Sequence, residues 1–222
     1  MFLEVIAKNF ADVKEINNSQ ANRIELCTNL ACGGMTPSHE LIFAATNYSK
    51  LPVNVIIRAN ERLDFVFNAD EKQKMLDDVK YIATKTKANG IVIGALTADK
   101  KIDFEFIKQI LAVKGNLQAT FHKAFDLVDD KIAAWKEIEQ LNFTNVLTSG
   151  GLDINQGFAV LGEIAKVRTN CNLLIGGGVT LDNLSECLKY SDNIHIGTAA
   201  RTVKNWDSEI AIPNINTFKA AH

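Results

Sequence analysis

The sequence is poor in the features that mark whole classes of protein. Four cysteines in 222 residues (Cys27, Cys32, Cys171 and Cys187) are too few and too scattered for a disulfide scaffold. They predict free thiols in a reducing compartment. No stretch approaches the ~18 uninterrupted apolar residues that a membrane-spanning helix needs. The opening segment MFLEVIAKNFADVKE carries Glu4 and Lys8 within its short apolar run. It lacks the basic start, long apolar centre and small-residue cleavage site of a secretory signal. Charge of one sign is also missing: 24 basic against 26 acidic residues leave a net of -2. That balance gives neither nucleic acid nor an acidic membrane surface a footing. No low-complexity stretch or shift of composition marks a linker, so a single domain over residues 1–222 is expected. The G-x-G-x-x-G dinucleotide fingerprint is absent, because Gly176, Gly177 and Gly178 are contiguous.

What is present is a rhythm. Short runs rich in Val and Ile begin at residues 2, 22, 53, 90, 117, 144, 172 and 193, and helix-like segments lie between them. The runs are too short for helices and read as strands. Apolar residues at helical spacing follow: Leu41, Ile42 and Ala45 behind Pro37-Ser38, and Met75, Leu76, Val79, Ile82 and Ala83 behind Asp70 as cap. Three more stripes are Phe104, Ile107, Ile110 and Leu111 behind Asp103, then Ile132, Trp135 and Ile138, then Leu181, Leu184 and Leu188 behind Thr180. Eight strands alternating with helices predict parallel pairing and closure into a TIM-type (β/α)8 barrel, with a doubly wound open sheet as the competing arrangement. Residues 59–68 form the one long polar connection, expected at the active face.

Strand alternation then sorts the faces. Leu3, Val5, Ile24, Leu26, Val53, Val55 and Ile57 fall on the helix side, which turns Glu4, Arg23, Glu25, Cys27 and Arg58 inward. The same count places Thr120, His122 and His195 inside. Barrel interiors are normally filled with branched apolar residues, and each buried charge costs several kcal/mol unless it is paired. Two readings remain: a self-satisfied Glu–Arg network that fills the barrel, or a ligand site at the strand C-termini, where Cys27, Arg58 and His122 end their strands. The glycine turns after the seventh and eighth strands supply a second constellation. Gly177 and Gly178, then Gly197 and Thr198, let backbone N–H groups approach an anion, and Arg201 adds charge. Ser149 and Gly150 after the sixth strand offer further donors. Lys123 follows an inward residue and is expected to point away, which disfavours Schiff-base chemistry.

The segments Leu3-Glu4-Val5, Asn22-Arg23-Ile24-Glu25-Leu26-Cys27, Gly33-Gly34-Met35-Thr36-Pro37-Ser38 and Ile56-Ile57-Arg58 resemble the CutC family, named for copper homeostasis. So do Thr120-Phe121-His122-Lys123-Ala124-Phe125-Asp126 and Val146-Leu147-Thr148-Ser149-Gly150-Gly151, in family order. The resemblance implies a cytoplasmic, dimeric TIM-type barrel associated with copper tolerance and copper binding. Members proposed to bind Cu(I) resemble this chain at Cys27 but carry a second cysteine at the end of the first strand, where Ile6 stands here. The arginine-rich, glycine-containing loop usual after the third strand keeps one basic residue, Arg62.

Two functions follow. Soft thiolates at Cys27 and Cys32 would hold Cu(I), with His122 and His195 able to join a mixed site. Alternatively, the barrel is an enzyme for a small phosphorylated or otherwise anionic metabolite. His122 or Glu25 would then be the general base and Arg58 and Arg23 would stabilise developing charge, with Glu4 and His195 completing the catalytic set and Asp126 supporting the loop that carries His122. A non-catalytic interaction protein is the third class and ranks last.

Overall fold

A computed structural model describes residues 1–221. Eight strands close into one parallel barrel in chain order: β1 (Phe2–Ala7), β2 (Arg23–Leu26), β3 (Val53–Ile56), β4 (Gly90–Ile93), β5 (Gln118–Phe121), β6 (Asn145–Thr148), β7 (Asn172–Ile175) and β8 (Asn193–Ile196). The seam pairs Glu4 with His195 on one side and with Arg23 on the other. Around it lie α1 (Phe10–Ile16), α2 (His39–Tyr48), α3 (Ala69–Lys85), α4 (Phe104–Val113), α5 (Lys131–Gln140), α6 (Ile154–Val167), α7 (Leu181–Cys187) and α8 (Ile212–Ala220).

The outward strand residues build the core. Leu3, Val5, Ile24, Leu26, Val55, Ile91, Ile93, Phe121, Val146, Leu173, Ile175 and Ile194 are wholly buried beneath the helices. Met75, Val79 and Ile82 of α3 and Phe106, Ile107 and Ile110 of α4 meet them from outside. The helix starts follow local hydrogen bonding: Ser38 and Asp103 accept from the N–H of Leu41 and Phe106. For α3 the cap is Asn68 rather than Asp70. Asn68 accepts from the Glu71 N–H and the Glu71 carboxylate accepts from the Asn68 N–H, and this reciprocal box outcompetes an Asp two residues later, which lies in the first turn.

The interior changes character along the barrel axis. At the N-terminal end it is amide-rich: Asn89 donates to Asn54 Oδ1 (2.8 Å), and Asn145 donates to Thr120 Oγ1 (2.9 Å). Arg23 lies at this floor over the Phe2 ring, its guanidinium carbon 4.9 Å from the ring centroid. Glu4 sits one level up, accepting from Arg23 Nε and from His195 Nδ1. At the opposite end the strands open onto a cavity of about 290 Å³.

Candidate active site

The mouth cavity has a polar base and an apolar wall. Glu25, His122, Lys123 and His195 reach it, and so do Ile6, Leu30, Ile56, Phe65, Leu147 and Trp206. Its rim comes from the loops after β7 and β8, through Gly177, Gly178, Val179, Thr180, Gly197, Thr198 and Ala199. Two of these glycines are required by geometry. Gly177 has φ +88, and a Cβ there would collide with the Lys123 ammonium. A Cβ at Gly197 would collide with the Trp206 ring that closes this side.

The ionisable groups divide into satisfied and unsatisfied. Both Glu4 oxygens are used, one by Arg23 and one by His195. Burial alone would raise its pKa, but the charges and hydrogen bonds of Arg23 and His195 hold it well below the usual carboxylate range. Glu25 is equally buried and lacks such partners. Burial, reinforced by the Glu4 charge and only partly opposed by His195, pushes it up to about 7. Its Oε2 lies 3.3 Å from His195 Nδ1 and takes no hydrogen bond from the protein. His195 is raised: burial would lower it, but the Glu25 and Glu4 carboxylates more than reverse that.

His122 behaves in the opposite sense. It caps the short 3-10 turn Lys123–Leu127, and its Nδ1 accepts from the Ala124 N–H at 3.1 Å. Burial and the nearby Arg58 charge lower its pKa to about 3, so the ring is neutral at physiological pH. A neutral ring that accepts at Nδ1 carries its proton on Nε2, and that atom is buried without a partner. The Phe65 ring lies against the imidazole, centroids 4.8 Å apart and tilted by 51°. Gly94 makes room for it, since a Cβ there would lie 2.5 Å from the imidazole.

Several sequence-selected residues take positions other than those expected. Arg58 is inside and buried, but its Nη1 donates to the carbonyls of Cys32 and Gly34 and its Nη2 to that of Arg62, so it fastens the loops after β2 and β3. Arg23 is at the floor, remote from the mouth. Arg201 is wholly buried away from the cavity, donating to Asp12 (2.6 Å) and to the Ser208 carbonyl, because the turn Thr198–Ala200 carries it past the barrel rim. Ser149 and Gly150 are absorbed locally: Ser149 donates to Asp126, and the Gly150 N–H to Thr148 Oγ1. Lys123 is the converse case. It was expected to face away, yet β5 ends at Phe121 and the following turn breaks the alternation. Its ammonium therefore lies along Gly177, 3.6 Å from Asp126 Oδ2. The connection 59–68, expected at the active face, does bring Phe65 to the cavity, but no periodicity singles out that residue, and Trp206 stands in an irregular segment with no signal at all.

The thiols test the copper expectation. Cys27 packs among Ile6, Leu30, Ile56 and Val92, its Sγ 3.9 Å from the Ala7 carbonyl. Burial, aided by the Glu25 charge, pushes its pKa well above the ordinary thiol value. Cys32 points elsewhere and donates to the Asn29 carbonyl at 3.1 Å. Among the described residues the one convergence of three His, Cys, Asp or Glu groups is Glu4, Glu25 and His195, which contains no sulfur. Cu(I) prefers thiolate and thioether donors, so this arrangement does not fit a resident Cu(I) centre.

With this geometry in place, the chain can be set beside known proteins. The CutC family pattern matches residues 1–200. The chain belongs to the CutC family. It is 34% identical over 195 residues to the family protein CutC of Pasteurella multocida, covering 85% of this chain and 78% of that protein. The human copper homeostasis protein cutC homolog is 33% identical over 205 residues, covering 91% of this chain and 74% of its own length. A crystal structure described as copper homeostasis protein CutC of Streptococcus agalactiae superposes with a TM-score of 0.82 at 30% identity, covering 89% of this chain and 98% of that one. No helix among the described residues is long and apolar enough to cross a membrane.

Proposed function

We propose that this CutC protein binds a small organic anion, with a phosphate or comparable group, at the barrel mouth and moves a proton on it. One observation carries the reading. Among the described residues nothing accepts from the backbone N–H groups of Gly177, Gly178, Gly197 or Thr198, and all four residues rim the cavity that the Lys123 ammonium enters. Free N–H groups beside a fixed cation form an anion cradle, and these two loops are the usual phosphate position of this barrel. Lys123 supplies the charge that the sequence assigned to Arg201. The wall formed by Ile6, Ile56, Leu147 and Trp206 suits an apolar or carbon-rich body on the ligand.

Glu25 is the acid–base group. A carboxyl poised near neutrality exchanges protons efficiently in either direction at physiological pH. His195, held between Glu4 and Glu25, fixes the charge beneath it. Copper homeostasis is the role in the human relative's name, and a thiolate-bound Cu(I) at the mouth would need Cys27, which packs among apolar side chains. The donor set favours the anion reading over that one.

Amide chemical-shift titration with inorganic phosphate tests the reading. The Gly177, Gly178, Gly197 and Thr198 signals should move together and saturate, and Lys123→Met should weaken the binding about tenfold. Phosphate that leaves these four amides unmoved would end the proposal. An anaerobic Cu(I) titration of wild type and Cys27→Ala separates the alternative: equal, weak affinity in both is expected, and tight one-to-one binding lost in the variant would reinstate copper.

A further inference from the structure

Two polar atoms at the mouth make no hydrogen bond, and they point to a specific ligand chemistry. Protein interiors leave few buried polar atoms without a hydrogen bond, and those that remain call for an explanation. Glu25 Oε2, ion-paired with His195 Nδ1 at 3.3 Å, and His122 Nε2 both lack a hydrogen bond, and both belong to residues of this one cavity. They are complementary: Glu25 Oε2 is an acceptor, and His122 Nε2–H is a donor whose tautomer is fixed by the Ala124 N–H at Nδ1. His122 therefore does not serve as the general base. It offers a hydrogen bond from a neutral, pre-oriented ring under Phe65, on a turn that also aims Lys123 at the rim.

We infer that the ligand carries a carbonyl group, that His122 Nε2–H hydrogen-bonds its oxygen, and that Glu25 takes the proton from the adjacent carbon. This inference rests on the anion-binding reading and names the substrate class for it: small phosphorylated or similarly anionic carbonyl compounds. In the step, the C–H bond breaks and its proton goes to the Glu25 carboxylate. The C–H electron pair becomes the new C=C bond. The carbonyl π pair moves onto oxygen, where the His122 N–H stabilises it as an enolate. Returning the proton from Glu25 to the same carbon, with the enolate pair re-forming the C–H bond and the oxygen pair the carbonyl, completes a proton exchange with no oxidant or reductant. A neutral imidazole suits this task, because its N–H is far less acidic than that of an imidazolium and so hydrogen-bonds the developing enolate without giving up its proton.

The test compares two probes with the same phosphate. Phosphoglycolohydroxamate mimics the planar enolate, whereas glycerol 3-phosphate has neither a carbonyl nor a planar carbon. Wild type should bind the hydroxamate at least about a hundredfold more tightly, as transition-state mimics generally do. His122→Asn keeps an acceptor for the Ala124 N–H, while its shorter amide withdraws the donor from the position of Nε2. It should cut that preference about tenfold or more while leaving affinity for inorganic phosphate unchanged. Glu25→Gln should lower the preference likewise. Equal affinity for the two probes, with phosphate still bound at the rim amides, would overturn the carbonyl inference alone. Failure of all three anions to bind would overturn the anion reading on which it stands. Nitrogen NMR of imidazole-labelled wild type gives a check that needs no variant: His122 should be the neutral Nε2–H tautomer at pH 6. A Nδ1–H tautomer or an imidazolium would contradict the inference.

Discussion

The lower and upper halves of the barrel interior carry the same residue types and use them differently. Below, Glu4 is engaged at both oxygens by Arg23 and His195, Asn89 donates to Asn54 and Asn145 to the Thr120 hydroxyl, while Arg23 Nη2 and Asn54 Nδ2 make no hydrogen bond. Above, Glu25 and His122 are as deeply buried, yet Glu25 Oε2 and His122 Nε2 make no hydrogen bond and both residues line an open cavity. The difference lies in the carboxylates: Glu4 is compensated at both oxygens and Glu25 is not. The opposing pKa directions of Glu4 and Glu25, two carboxylates in one interior, express the same division.

The sharpest way to break this comparison is to delete each carboxylate in turn. Glu4→Leu strands Arg23 and His195 and should cost about 3–5 kcal/mol of stability in urea denaturation. Glu25→Gln should stay within about 1 kcal/mol of wild type, since it removes a desolvated group that few partners favour. Similar large losses in both would make the mouth as structural as the floor.

The pH dependence of stability divides them next. The lowered pKa of His122 gives a contribution present above about 6.5, the usual histidine value, and lost as pH falls towards about 3. Its slope is about 1.4 kcal/mol per pH unit. The raised pKa of Glu25 acts with opposite sign: its contribution is full below about 4.5 and lost as pH rises through about 7. Between those limits the two slopes oppose each other in wild type. His122→Asn should therefore make stability fall more steeply with rising pH across pH 5–6, and Glu25→Gln should make it rise. Denaturant midpoints measured at half-unit intervals would show it, and identical profiles would refute the assignments.

Smaller effects bear on the thiol side and the surface. Cys27→Ala should cost about 1 kcal/mol, the loss of a small apolar side chain, with or without added copper. A copper-dependent midpoint in wild type alone would contradict the account. Arg62→Ala, which breaks an exposed pair with Glu71 (2.7 Å), should leave the denaturant midpoint close to that of wild type.

Much of this was legible in the sequence. The eight Val- and Ile-rich runs correspond to the eight strands, and period-two alternation placed Glu4, Arg23, Glu25, Cys27, Arg58, His122 and His195 inside. Alternation fails where strands end. It misdirected Lys123 because the chain turns into a 3-10 helix two residues past β5. Arg201 drew attention as the cation after the last glycine turn, but the Asp12 carboxylate holds it buried away from the cavity. Arg58 faces in as counted, yet a long guanidinium can double back onto loop carbonyls, which no spacing rule foresees. Phe65 and Trp206 reach the cavity through tertiary packing of irregular chain, where periodicity has nothing to measure.

The division between a compensated carboxylate below and an unmet acceptor and donor at the mouth is tested most directly by a crystal structure of the protein with phosphoglycolohydroxamate. The account predicts phosphate oxygens on the N–H groups of Gly177 and Gly197 and on Lys123 Nζ, with the hydroxamate oxygen on His122 Nε2 and its planar face towards Glu25. A compound bound elsewhere, or a mouth in which Glu25 and His122 have found protein partners instead, would contradict it.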